Sequence, residues 1–133
     1  MSYTVRARRV DAHGSTAETK DAVLTLDTDM AGRRDAFNPV ELLLAALAAC
    51  IIKGIERVTP ILRFSLRGVE VEVEAVRQDA PPLLSSVTYR IVVDTDESDH
   101  RLELLHANVR KFGTISNTLA AATTLEGTLV RKG

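Results

Sequence analysis

From Leu42 to Ile52 the chain reads LLLAALAACII, eleven residues with no charge between Glu41 and Lys53. A helix over this stretch lacks the solvated back of an ordinary surface helix, so it has to be covered on every side. The run falls well short of the ~20 apolar residues that cross a bilayer, and protein must supply the cover. The stretch therefore predicts a long central core helix. Its start is marked by Asn38, a preferred N-cap, by Pro39 at the first helical position and by Glu41 three residues after the cap, which completes a capping box. Pro60 is expected to stop it.

At 133 residues the chain has the length of a single domain, 1–133, with one core. A net charge of -1 supplies no general electrostatic drive toward nucleic acid or an anionic membrane, and neither is expected as a partner. MSYTVRARRV is polar and alternating where a secretory signal would be apolar, so the expected location is cytoplasmic. Cys50 is the only cysteine, which leaves no internal disulfide. Cys50, His13, His100 and His106 do not fall at metal-ligand spacing, and no metal or other cofactor is expected.

Around the helix the pattern alternates with period two. Tyr3, Val5 and Ala7 predict a first strand, His13-Gly14-Ser15 a turn, and Ala22 to Leu26 a second strand. Asp27 to Phe37, carrying Arg33 and Arg34, reads as a loop leading into the helix. Val69, Val71, Val73 and Ala75 alternate with glutamates, and Val87, Tyr89, Ile91 and Val93 match them after a hairpin loop over QDAPPLLSS. Leu102, Leu105, Val109 and Phe112 define the apolar face of a second helix, with Gly113 at its C-cap. His100 and His106 fall on its polar side. Ser116 reads as the N-cap of a short helix, and TTLEGTLV as a last strand. The order β-β-α-β-β-α-(α)-β, with strands able to pair as antiparallel hairpins, gives an α+β fold. A small sheet and one further amphipathic helix cannot surround an all-apolar helix, so a second subunit is expected to complete the cover.

Cys50 lies near the C-terminal end of the apolar run. Lys53 and Arg57 follow it by three and seven positions, near its face, and a basic neighbourhood favours thiolate. A small hydrophobe packed in a core helix is the other reading of the same residue. Glu41 lies on the opposite side of the helix and ~13 Å along its axis, too far to act on Cys50 within one subunit.

The string NPVELLLAALAAC, preceded by strands, resembles the first motif of the OsmC/Ohr family of thiol-dependent peroxide reductases, and KFGTISNTL resembles the second. The resemblance implies an OsmC-like α+β fold, with antiparallel sheets around the long helix in an intertwined homodimer. It also implies Cys50 as the peroxidatic thiol of an organic hydroperoxide reductase in oxidative stress defence. Arg33, Arg34 or Lys53 would then stabilise the thiolate. The chain departs from the family pattern at two places: Gly113 stands where the resolving cysteine falls, and Val40 where many members carry a carboxylate. What the resemblance implies is thus a one-cysteine cycle completed by an external thiol reductant. The alternative is an OsmC-fold dimer without peroxidase chemistry that binds a small hydrophobic ligand.

Overall fold

Three strands, not two, precede the first helix of the computed structural model, which describes residues 1–133: β1 (Arg6–Asp11), β2 (Gly14–Thr19) and β3 (Ala22–Leu26). They form an antiparallel meander in the order β1-β2-β3. The central strand starts inside the expected His13-Gly14-Ser15 turn and runs on through a segment given no element, because GSTAET has too few apolar side chains to show an alternation. The helix α1 (Pro39–Leu62) follows, then β4 (Gly68–Asp79), β5 (Pro82–Asp94), α2 (Asp99–Phe112), α3 (Thr114–Ala120) and β6 (Thr124–Arg131). Two three-stranded sheets and three helices make the fold α+β. The chain divides into two units, Met1–Leu43 and Leu44–Gly133.

In the second unit α1 presents Leu47, Ile51, Ile55 and Val58 to a core completed by Val87, Tyr89, Ile91 and Val93 of β5, Leu102, Leu105 and Val109 of α2, and Leu125 of β6. Each fully buried aliphatic side chain of this kind stabilises the fold by about 1.5–3 kcal/mol. The buried positions of β5 keep the predicted period of two, and in β4 the same alternation sets half-buried Val71 and Val73 against exposed Glu70, Glu72 and Glu74. Glu72 lies opposite Arg90 across the β4–β5 ladder, a favourable cross-strand pair. No helix of the chain is long and apolar enough to cross a membrane.

Several expectations are corrected. Pro60 does not stop α1, which runs on to Leu62. Pro60 gives up its own amide bond to the turn before it, yet α1 adds two more residues and closes through Arg63, at φ 50°. The Arg63 amide donates to the Pro60 carbonyl at 3.3 Å and the Phe64 amide to the Thr59 carbonyl at 2.8 Å, a Schellman ending. Arg101 of α2 donates to the freed Leu62 carbonyl and ion-pairs with Glu97. The expected hairpin loop is almost wholly strand, with Asp79 opposite Pro82 and a bulge at Val76/Arg77. Pro82 is tolerated as the first residue of its strand.

β6 pairs with β5 in parallel, against the expectation of antiparallel hairpins. The crossover through α2 and α3 provides the connection that parallel strands require. Phe112 is not core but 51% exposed, since it lies at the margin of the buried stripe in the last turn of α2. Gly113 caps α2 in an extended conformation (φ -78°, ψ 115°) rather than a left-handed one, and Ser116 lies inside α3 instead of capping it.

His106 is half-buried rather than on the solvated side of α2. Its Nε2 lies 2.7 Å from the Tyr89 hydroxyl, with the rings edge to face. Burial, then the Arg110 charge, holds this imidazole below the ordinary histidine range, and burial pushes the Tyr89 phenol up. The Tyr89 ring crosses the strand beside it: a Cβ on Gly127, its register partner, would come within 2.1 Å of the ring. Gly127→Ala should therefore lower stability by about 1–3 kcal/mol, read as a fall in the urea midpoint. An unchanged midpoint would contradict this packing.

Candidate functional site

Cys50 sits on the shoulder of α1, 100° around the helix from buried Ile51. It is half-buried, with exposed Ala46, Ala49 and Lys53 as its neighbours on the outer side. The sulfur is thus attached to a rigid element, next to the core stripe but outside it. One turn on, Gly54 is buried, and a Cβ there would touch the Val109 side chain at 3.5 Å. The small residue lets α2 approach α1 just past the cysteine.

Around that crossing the surface carries three basic residues. Lys53 and Arg57 of α1 and Lys111 of α2 are all exposed. The Arg57 guanidinium lies 5.1 Å from the centroid of the Phe112 ring and the Lys111 ammonium 5.4 Å from it, both within cation–π range. None of these three cations takes part in the chain's eight ion pairs. Gly113 follows directly and is buried; a Cβ there would meet the Ser116 hydroxyl at 2.9 Å and the Val109 carbonyl at 3.3 Å. Sequence reasoning placed Phe112 in the core and so missed its pairing with Arg57; an aromatic next to two basic residues at a helix end is the signal that was available.

The Met1–Leu43 unit holds Arg33 and Arg34. Arg33 makes a bidentate pair with Asp35, Nε to Oδ1 at 2.7 Å and NH2 to Oδ2 at 2.9 Å, and donates to the His13 carbonyl at 3.3 Å. Its guanidinium occupies the space where a side chain on Gly14 would stand, 2.4 Å from that Cβ position. The contact holds the Asp35 carboxyl below the usual carboxylate range. Arg34 is exposed and joins no ion pair.

The loop that carries them is organised by Asp27, a residue not singled out by the sequence. It is 6% exposed, and its carboxylate accepts from the Asp29 amide at 3.1 Å and the Arg33 amide at 3.0 Å. The loop base is closed by the Asp27 amide donating to the Phe37 carbonyl at 2.9 Å. An aspartate two residues before a second aspartate, at the end of a strand, is a recognisable Asx-turn pattern. Asn38 and Glu41 cap α1 reciprocally: the Glu41 amide donates to Asn38 Oδ1 at 2.9 Å and the Asn38 amide to Glu41 Oε1 at 3.0 Å. That role occupies the Glu41 carboxylate at the helix start.

Comparison with known proteins follows the same residues. A family described as "OsmC-like protein" matches positions 32–127, a span that includes Arg33, Cys50 and Gly113. An OsmC like protein from Mycoplasma pneumoniae superposes with a TM-score of 0.85 at 21% identity, covering 98% of this chain and 98% of that one. The organic hydroperoxide resistance protein OsmC from Legionella pneumophila gives 0.73 at 26% identity, again with 98% of each chain covered. The organic hydroperoxide resistance protein OhrB of Bacillus subtilis gives 0.71 at 19% identity, over 97% of this chain and 98% of that one. No curated protein gives a significant match.

The loop bearing the two arginines also carries a titratable contact, His13 Nδ1 at 2.8 Å from Asp29 Oδ2. The hydrogen bond to Asp29, with the Asp29 and Asp11 charges, raises His13 above the ordinary 6.5. A raised folded value means that the pair stabilises the loop below 6.5 and that this contribution is lost as pH climbs through the folded value. An NMR titration should find His13 with its midpoint above 6.5, and Asp29→Asn should bring it down. A His13 midpoint unaffected by Asp29→Asn would refute the contact.

Proposed function

Because the chain belongs to the OsmC family, we propose that it is a one-cysteine, thiol-dependent reductase of organic hydroperoxides, working in the cytoplasm as a homodimer, with Cys50 as the peroxidatic residue. The observation that carries this reading is the position of Cys50: half-buried on the shoulder of a capped, well-packed helix, it is held in place and still open to a reagent. The similar proteins from Legionella pneumophila and Bacillus subtilis are named for organic hydroperoxide resistance.

In the cycle the Cys50 thiolate attacks the terminal oxygen of the hydroperoxide. The O–O bond breaks, an S–O bond forms, and the alkoxide leaves as the alcohol once protonated; sulfur is oxidised by two electrons and the peroxide reduced by two. The resulting sulfenic acid condenses with an external thiol, releasing water and leaving a mixed disulfide. A second thiol frees Cys50 by exchange, and the two external sulfurs depart as a disulfide. With one cysteine in the chain, both reducing sulfurs come from outside. Among the three candidate cations Arg33 is committed to Asp35 and Arg34 belongs to the Met1–Leu43 unit, whereas Lys53 lies one turn beyond Cys50 on the same helix, and the role of supporting the anionic sulfur is assigned to it.

The homodimer is supported by the apolar surface that the single chain leaves uncovered. Val5, Val10 and Val23 in the N-terminal segment are each 64–66% exposed, and Phe37 is 48% exposed. Large apolar side chains left this exposed are what a partner subunit would cover.

Purified protein should consume cumene hydroperoxide in the presence of dithiothreitol, and Cys50→Ser should reduce the rate to the uncatalysed background. Equal rates in the two proteins would sink the enzyme reading and leave ligand binding by the same scaffold in its place. Sedimentation at micromolar concentration should give a dimer. A monomer under those conditions would remove the homodimer from the proposal.

A further inference from the structure

Two unpaired cations on one exposed aromatic ring constitute a feature that the peroxide chemistry itself does not need. Arg57 and Lys111 come from different helices and converge on Phe112, at 5.1 and 5.4 Å from its centroid. Two like charges held on one ring repel each other, and neither joins any ion pair within the chain. Glu56, the only acid on this part of α1, points about 100° around the helix from Arg57. Such a pair is stabilised by an anion arriving from solution. A guanidinium kept near the ring, with its N–H donors in no ion pair, can offer them to a carboxylate, which arginine binds most strongly through paired N–H groups.

Resting on the assignment of Cys50 as the reactive thiol, the geometry points to Arg57, Lys111 and Phe112 as the subsite that receives the carboxylate of a small anionic thiol, the reductant of oxidised Cys50. Arg57 lies seven residues beyond Cys50, two turns and about 10 Å along α1, with Lys53 between them on the same side. A thiol of tripeptide size, about 10 Å end to end, can set its sulfur at Cys50 and a carboxylate within reach of the long Arg57 and Lys111 side chains. The choice of thiol over hydroperoxide follows from the stoichiometry. A chain with a single cysteine consumes two external thiols for every peroxide, so recognition of the thiol governs both reducing steps. In the first, Cys50–S–OH and the thiol give the mixed disulfide and water; in the second, another thiol displaces Cys50 and leaves as half of a disulfide.

The test bypasses the peroxide. Cys50 is loaded with a neutral thiopyridyl group, and its release by glutathione is compared with release by glutathione diethyl ester, the same thiol with its carboxylates masked, at rates corrected for thiolate fraction. Glutathione should react about three- to tenfold faster, the range that two exposed charge pairs supply. Arg57→Gln combined with Lys111→Gln should abolish the preference, as should 0.5 M salt, while reaction with the ester stays unchanged. Equal rates with acid and ester, or a preference that survives the double substitution, would overturn the proposal, as would a Cys50 that cannot be loaded. If the double substitution slows oxidation by a fatty-acid hydroperoxide but leaves thiol exchange untouched, the subsite belongs to the peroxide and the proposal also fails. Failure of cumene hydroperoxide turnover with this exchange preference intact would instead count against the peroxidase reading alone.

Discussion

The contact between one stripe of α1 and the inner face of β5 organises the larger unit. Leu47, Ile51 and Ile55 are 0–2% exposed, as are Val87, Ile91 and Val93 facing the same core. Since net stability of a domain is only about 5–15 kcal/mol, a few such side chains account for as much free energy as the whole margin. The same contact fixes where the chemistry can be. A helix that buries Ile51 this completely fixes the direction of each of its neighbours, and Cys50 emerges at the border of the core, neither sealed within it nor loose upon it. The capping box at Asn38 and Glu41 secures one end of the helix, and Arg101 reaches from α2 to the other.

Much of this is written locally and can be read from the chain. Alternation in β4 and β5 gives both strands and the faces they bury, because a period of two translates directly into side-chain direction. The capping box is equally local. What is not legible depends on partners distant in sequence. GSTAET is a strand because it is paired on both sides, not because of any pattern of its own. Alternation says nothing about strand direction; the parallel placement of β6 is set by the two helices that separate it from β5. Pro60 would break a helix interior, but here the closing bonds of Arg63 and Phe64 end the helix within three residues of it.

The site divides in the same way. Cys50 and the apolar run around it are visible in the chain, and so are the basic residues that follow. The commitments of those residues are not. Arg33 and Arg34 are adjacent and chemically alike, yet one is locked into a bidentate pair and the other joins none, a difference made by where the loop turns around Asp27. Phe112 obeys the helical period of a core residue and is drawn instead to the guanidinium of another helix. Periodicity finds the stripe; only the crossing of α1 and α2, permitted by Gly54 against Val109, decides where the stripe ends.

The parallel pairing of β5 and β6 has a consequence for how the chain reaches its fold. The β4–β5 hairpin joins neighbours across the short Ala80-Pro81 turn, whereas β6 can dock only after α2 and α3 have carried the chain back along the sheet. Loop closure over that distance is slow compared with hairpin formation. During that interval the second edge of β5, with Val87, Ile91 and Val93 in one strand, has its backbone groups unpaired. An apolar strand with an open edge is a template for pairing with other chains. The speed with which α2 and α3 settle therefore governs not only folding but also the partition between a soluble product and aggregate.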